Sequence, residues 1–185
     1  MGRIVVTEFI SVDGVIEDPG GAEGFRHGGW AFDLDEESGQ FKFEEAMASE
    51  AMLLGRKTYE GFAQAWPSQE GEFADKFNTM PKYVVSSTLK DPEWTNTTVL
   101  RGGLAEEVAR LRQRHEGDVL VHGSAQLVQA LLDNDLVDEL RLMVFPVVLG
   151  SGRRLFGDTG DKKPLALAES RRLGGGVAIL IYRRA

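Results

Sequence analysis

The chain has 185 residues, 42% of them hydrophobic, with 21 Lys+Arg against 29 Asp+Glu and a formal net charge of −8. That length suits a single domain over residues 1–185, since roughly 100–200 residues per domain is usual, and a core of that size needs no disulfide or metal. The lack of cysteine excludes disulfide frameworks, thiolate zinc sites, CxxC redox pairs and cysteine nucleophiles, and an acidic chain without a basic stripe argues against nucleic acid as the main partner.

Met1-Gly2-Arg3-Ile4 runs straight into a β-like segment with no charged-then-apolar leader. No apolar run approaches the roughly 20 residues of a membrane span, so the expectation is a soluble cytoplasmic protein. Ile4–Ile10 reads as a strand, and Ser11-Val12-Asp13-Gly14 as the turn that ends it. Glu17–Gly29 is rich in glycine and charge and reads as a surface loop. Phe41, Phe43, Ala46 and Met47 give Glu36–Ser49 a helical pattern, with Glu36-Glu37 and Glu44-Glu45 as its solvated face. Ala51–Leu54 is a buried strand ended by Gly55, and Lys57–Ala65 is a short helix closed by Trp66-Pro67.

Lys82–Ser86 follows as a strand, with Pro81 tolerated at its mouth. Thr98–Leu100 is strand-like, and Gly102-Gly103 opens a helix from Leu104 to His115 on which Leu104, Val108 and Leu111 share a face. Asp118–Val121 is a strand, Ser124–Leu132 a helix and Glu139–Val144 a strand. Leu165–Ser170 and Val177–Tyr182 form a last pair across Gly174-Gly175-Gly176. Strands alternating with helices predict an α/β fold with a mostly parallel central sheet and a C-terminal antiparallel hairpin.

Ligands of open α/β sheets sit beyond the carboxyl ends of the strands. Four segments fall there. Leu54-Gly55-Arg56-Lys57-Thr58 places a helix start and two cations directly after a strand, which suits a phosphate; the alternative is a plain turn capped by Thr58. Val121-His122-Gly123-Ser124-Ala125 repeats the arrangement, with Ser124 as N-cap in the structural alternative and His122 more structural than catalytic. Ser86-Ser87 closes a strand with hydroxyls that serve a turn or a phosphate. Phe145 to Arg154 ends in a flexible cationic corner, Gly150-Ser151-Gly152-Arg153-Arg154. The chain has no GxGxxG, GxxxxGK[ST], GxSxG or HExxH motif, and His27, His115 and His122 are scattered.

In order and spacing, these pieces resemble the dihydrofolate reductase superfamily, and more closely its branch related to the C-terminal reductase domain of bifunctional riboflavin-biosynthesis proteins. The likeness rests on Ser11-Val12-Asp13-Gly14-Val15-Ile16, Leu54-Gly55-Arg56-Lys57-Thr58-Tyr59, Val84-Val85-Ser86-Ser87, Val121-His122-Gly123-Ser124 and Leu136-Val137-Asp138-Glu139-Leu140. Phe145-Pro146-Val147-Val148-Leu149-Gly150-Ser151-Gly152, with Leu155-Phe156, tilts it toward the riboflavin branch. His122-Gly123-Ser124 stands where that branch usually has Glu-Gly-Gly.

The resemblance implies a dihydrofolate reductase-like three-layer α/β/α fold and an NADPH site. Gly55, Arg56, Lys57 and Thr58 match the segment that holds the cofactor phosphates. Ser86 and Ser87 match the serines near the adenosine 2′-phosphate, Gly123, Ser124 and Ala125 the pyrophosphate turn, and Val15 and Ile16 the loop over the nicotinamide. Asp13 matches an Asp-Gly that touches nicotinamide or substrate, or else only forms the turn. Trp30 or Phe25 would stack on a substrate ring, and Arg153 or Arg154 would face an anionic substrate. The zinc deaminase half of the bifunctional proteins needs cysteines this chain lacks, so only the reductase half is implied.

The implied function is a 5-amino-6-(5-phosphoribosylamino)uracil reductase-like activity, with hydride passing to a pterin-like or ribosylaminopyrimidine-like small molecule. The protein would be a homodimer, without metal, membrane or nucleic-acid partner. The alternatives are a non-catalytic nucleotide- or ligand-binding module on the same fold, or a dihydrofolate reductase.

Overall fold

The computed structural model describes every residue except Asp33 and Thr159. The elements run in the order β1 (Arg3–Ser11), α1 (Glu36–Ala48), β2 (Ser49–Gly55), α2 (Arg56–Ala65), α3 (Glu72–Thr79), β3 (Lys82–Val85) and β4 (Thr97–Leu100). They continue with α4 (Leu104–Arg114), β5 (Asp118–Val121), α5 (Ala125–Asp133), β6 (Glu139–Phe145), β7 (Leu165–Arg172) and β8 (Ala178–Arg184). The strands form one sheet in the order β4-β3-β2-β5-β1-β6-β8-β7. From β4 to β6 every neighbour is parallel; β8 runs antiparallel to β6 and to β7.

The apolar runs of β1, β2 and β5 are covered on both faces, which is why they lack polar alternation. Ile4, Val6, Leu53 and Val121 pack against Val108 and Leu111 of α4 and Leu127, Val128 and Leu131 of α5. Met52, Leu54 and Val84 meet Ala46 of α1, Tyr59 of α2 and Phe77 of α3 on the opposite face. Met143, Phe145, Ile179 and Ile181 form a third cluster with Ala31, next to Phe41 of α1. The result is three layers, α1–α3 on one side of the sheet and α4–α5 on the other.

The sequence reading did not foresee α3. It is eight residues long and its first-turn carboxylates hide the apolar pattern of Phe73, Ala74 and Phe77. Aromatic packing holds it instead, with the Trp66 and Phe73 rings each 4.7 Å from that of Phe77.

Glu45 corrects the expectation for α1. Of the expected solvated carboxylates, Glu36, Glu37 and Glu44 are exposed, but Glu45 is buried together with Ser38, Lys42 and Ala46. The inward face of α1 is therefore largely polar. Lys42 pairs with Glu45 and donates to Thr7 Oγ1 at 2.6 Å, while Thr7 donates to Glu45 Oε2 at 2.8 Å. Arg141 then links Glu45 (3.3 Å), Asp118 (2.7 Å) and Glu139 (2.6 Å), and Arg3 and Arg183 also reach Glu139. Glu45 and Glu139 stay ionised below the usual carboxylate range: burial opposes the charge, but these cations outweigh it.

Candidate functional site

The carboxyl ends of β1 to β6 bring the sequence-singled segments to one edge. In the β2–β5 pairing, Leu53 lies beside Val121, so the turns at Gly55 and Gly123 emerge as neighbours. Gly55 donates its N–H to Ser124 Oγ at 2.9 Å, and that hydroxyl lies 2.9 Å from Thr58 Oγ1 and 3.0 Å from the His122 carbonyl. Gly123 sits at φ +53, where an added Cβ would lie 2.9 Å from Thr58 Oγ1. A side chain at Gly123 would wedge the two turns apart.

Thr58 and Ser124 were the structural alternatives as caps, and neither caps its helix. Among the described residues, α2 and α5 both begin with no side-chain cap hydrogen bond. Two helix starts thus face the same edge with unanswered N–H donors and aligned dipoles, an arrangement that suits the phosphates of a dinucleotide. Arg56 and Lys57 are exposed beside them, and Arg56 holds Glu60 at 3.1 Å.

The next strands extend the row, since Gly55 pairs with Val85 and Val85 with Leu100. Ser86 Oγ accepts from the N–H of Thr88 (3.2 Å) and Leu89 (3.0 Å), so its hydroxyl shapes the turn, while Ser87 is exposed. Arg101 was missed in the sequence. It follows β4 directly and folds its guanidinium onto the carbonyls of Ser86 (3.3 Å), Ser87 (3.1 Å) and Leu89 (2.6 Å). The signal was present, because Arg101-Gly102-Gly103 repeats the strand, glycine, helix order of the other two turns. The residues present therefore fit a phosphorylated nucleotide: two uncapped helix starts, glycine backbone between them, and Arg56, Lys57 and Arg101 at hand.

Asp13 and the cationic corner hold each other. The Asp13 carboxylate accepts from Ser11 Oγ (2.7 Å), Leu149 N (3.1 Å) and Gly150 N (2.8 Å), and Arg154 lies 3.7 Å away. Those donors, Ser11 first, hold its carboxyl down at about 2, so it is ionised at neutral pH. Arg153 is exposed and lies within ion-pair reach of Glu17 (3.6 Å) and Glu23 (4.0 Å). Val15 and Ile16 are buried, and Ile16 N bonds the Arg153 carbonyl at 2.9 Å, so the loop after β1 is laced to the corner. Gly152, at φ +115, allows this: a Cβ there would sit 2.7 Å from Val15 Cγ1.

Trp30 and Phe25 separate. The Trp30 ring meets Phe145 edge-on at 5.6 Å and anchors its indole N–H on the Glu17 carbonyl at 2.8 Å. Phe25 instead packs at 5.5 Å against His27. Trp30 and Phe145 line a cavity of about 310 Å³ with Leu34, Asp35, Ser38 and Val177, between the start of α1 and the end of β6. Asp35 caps α1, accepting from Ser38 N at 2.7 Å.

Two buried titratable groups lie beneath the Gly123 turn. Burial pushes the Glu8 carboxyl well up, against the pull of the Gly123 N–H and Lys42, and its Oε1 has no partner among the described residues. Burial likewise takes His122 down to about 3, so it is neutral, with Nε2 unpartnered among the described residues and its ring against Phe62 (5.9 Å) and Phe77 (5.5 Å). Among the described residues no acidic or histidine cluster could hold a metal, and no helix is long and apolar enough to cross a membrane.

The fold and this edge define an α/β protein whose candidate ligand-binding groups gather at the carboxyl ends of parallel strands. The chain belongs to the RibD C-terminal domain family, whose model matches residues 3–179. It is 28% identical to the Bacillus subtilis (strain 168) protein YyaP over 97% of this chain and 94% of the relative. It is 26% identical to YwjB of the same organism, over 94% of each. Both carry the description uncharacterized protein. Among solved structures, a putative riboflavin biosynthesis protein from Shewanella sp. PV-4 superposes with TM-score 0.74 at 19% identity, covering 99% of each chain. A pyrimidine reductase-like protein from Corynebacterium diphtheriae superposes with TM-score 0.66 at 12% identity, covering 99% of this chain and 92% of its own. These likenesses bear on the fold.

Proposed function

We propose that the protein is an NADPH-dependent reductase of a small nitrogen heterocycle, in the manner of 5-amino-6-(5-phosphoribosylamino)uracil reductases. The observation that carries this is the pair of uncapped helix starts of α2 and α5, tied together by Ser124 and flanked by Arg56, Lys57 and Arg101. The first-turn N–H groups of α2 and the Ser124-Ala125 backbone hold the phosphates, with Gly123, which has no Cβ, forming the turn between them. Arg56 and Arg101, beside Ser86 and Ser87, read the 2′-phosphate. NADPH, when bound, supplies the hydride; the chain supplies orientation and exclusion of water. Val15 and Ile16, locked against Arg153 and Arg154, close one side of the site, and Trp30 and Phe145 form the wall for the substrate ring.

Titration with NADPH, followed by its fluorescence, tests this. Measurable affinity is expected, and no affinity for NADPH or NADH ends the reading. NADPH oxidation is then assayed with dihydrofolate and with 5-amino-6-(5-phosphoribosylamino)uracil. Binding without oxidation of any heterocycle makes the protein a nucleotide-binding module instead.

We infer a cytoplasmic homodimer as the working form. β7 is an open sheet edge, exposed throughout, with Leu165 and Leu167 40% and 54% exposed. Sedimentation equilibrium is expected to give twice the chain mass, and Leu167→Glu to shift it toward one.

A further inference from the structure

Glu8, the acidic residue within β1, lies where the parallel sheet opens. Val6 pairs with Val121 at the end of the β1–β5 ladder; two residues on, β1 reaches Glu8, while β5 has ended and its chain turns at Gly123. On its other side β1 stays paired, with Glu8 beside Leu142 of β6. The chain then passes from β1 to α1 on one face of the sheet and from β5 to α5 on the other. Adjacent parallel strands that leave toward opposite faces open a crevice at their carboxyl ends, the usual seat of a ligand in such sheets. Glu8 lies in the floor of that crevice, under the Gly123 turn.

The Glu8 side chain is buried, and its Oε1 has no hydrogen-bond partner among the described residues. Lys42 of α1, the cation that acts on it, is bonded instead to Glu45 and to Thr7 Oγ1, at 2.6 Å from the latter. Glu45, also of α1, favours a protonated Glu8; His122 at the end of β5 is neutral, and Leu142 of β6 adds no charge. A buried carboxyl whose cation is bonded elsewhere keeps its proton well above the usual carboxylate range, although the Gly123 N–H and Lys42 pull the other way.

We propose that Glu8 is a positioning residue for the nucleotide: it accepts the Gly123 N–H from beneath the turn, and phosphate binds at that turn more tightly when Glu8 carries a proton. The proposal rests on the nucleotide reading given above. An ionised Glu8 would set an anion under the phosphate turn and neutralise part of the positive start of α5. A protonated Glu8 still accepts from Gly123 through its carbonyl oxygen and brings no charge. The linkage is reciprocal: a bound phosphate makes Glu8 hold a proton taken from solvent, and that proton raises the affinity for phosphate by the same factor.

Titration calorimetry of the full chain with NADPH, in buffers of low and high ionisation enthalpy, reads affinity and protons taken up together. The range runs from about pH 7.5 to 9.5, where the phosphates of the nucleotide are already ionised. The wild type is expected to take up a fraction of a proton per nucleotide and to lose affinity as pH rises, by at most about tenfold per pH unit for one linked proton. Glu8→Gln keeps a carbonyl for the Gly123 N–H and cannot ionise. It is expected to hold the affinity of the wild type at the low end of the range, to keep it at the high end and to take up that much less proton. If Glu8→Gln does not fold, proton uptake by the wild type reads the same linkage. NADPH binding by the wild type with no proton uptake, or Glu8→Gln with the uptake and pH profile of the wild type, overturns this proposal alone. No NADPH binding by the wild type at any pH ends the nucleotide reading, and this proposal with it.

Discussion

The Gly55 backbone N–H donates to Ser124 Oγ at 2.9 Å, across 69 positions of sequence. One hydroxyl thus orders the two turns proposed to hold the cofactor phosphates. Ser124 pays for the position with left-handed backbone, φ 59 and ψ 48, which a non-glycine residue adopts only under tertiary constraint.

Ser124→Ala and Ser124→Gly separate these effects. Both orphan the Gly55 N–H, for a loss of about 1–3 kcal/mol in urea unfolding. Glycine relieves the left-handed strain, so it is expected to be the more stable of the two, yet both weaken NADPH because the turns are no longer tied. Retention of full NADPH affinity by both would show that the tie serves only the fold.

Arg56 and Arg101 flank Ser86 and Ser87 on adjacent strand ends. A charge-assisted hydrogen bond to phosphate contributes about 1.5–3 kcal/mol, or roughly tenfold to a hundredfold in affinity. Arg56→Ala and Arg101→Ala are each expected to weaken NADPH by about that factor and NADH by much less. Equal loss for both nucleotides would contradict a role at the 2′-phosphate.

His122 and Glu8 predict opposite pH dependences. His122 is neutral when folded and protonates near 3 instead of 6.5, so its contribution is present above pH 6.5 and is lost as pH falls from there. At full effect that slope is about 1.4 kcal/mol per pH unit. His122→Phe, which fits beside Phe62 and Phe77, is expected to flatten the stability profile between pH 6.5 and 4.5, measured by urea unfolding at stepped pH. Glu8 has a raised carboxyl, so its contribution is present below the usual carboxylate value of 4.5 and is lost as pH rises toward its folded value. Glu8→Gln is therefore expected to gain on the wild type as pH increases over that range.

Arg141 is the hub that meets Glu45, Asp118 and Glu139. Arg141→Met leaves these carboxylates short of their shared cation in a mostly buried site, and a loss of about 3–5 kcal/mol is expected by urea unfolding. A loss below about 1 kcal/mol would mean that Lys42, Arg3 and Arg183 suffice.

Strands and the site edge were legible because their signals are local. Apolar runs such as Asp118–Val121 show burial directly, and Gly55 and Gly123 announce strand-to-helix turns whose carboxyl-edge location follows from parallel topology. Arg101-Gly102-Gly103 carried the same signal and was passed over. The inward face of α1 was not legible. Phe41 and Phe43 suggested an apolar face, whereas Ser38, Lys42 and Glu45 are buried there beside Ala46, and Lys42 and Glu45 take their partners from distant strands.

The sequence by itself determined the α/β class, the element order, the row of anion-suited turns and the resemblance to riboflavin-type reductases, since each depends on neighbours within a few residues. Only the tertiary structure decided what each polar group is free to do. It drew Asp13, Arg153 and Arg154 together in one corner, left the helix starts of α2 and α5 without a side-chain cap, and buried Ser38 with no hydroxyl partner among the described residues. The physical reason is that the availability of a charge or a hydrogen bond depends on partners brought from elsewhere in the chain, and residue types and spacing do not record those partners.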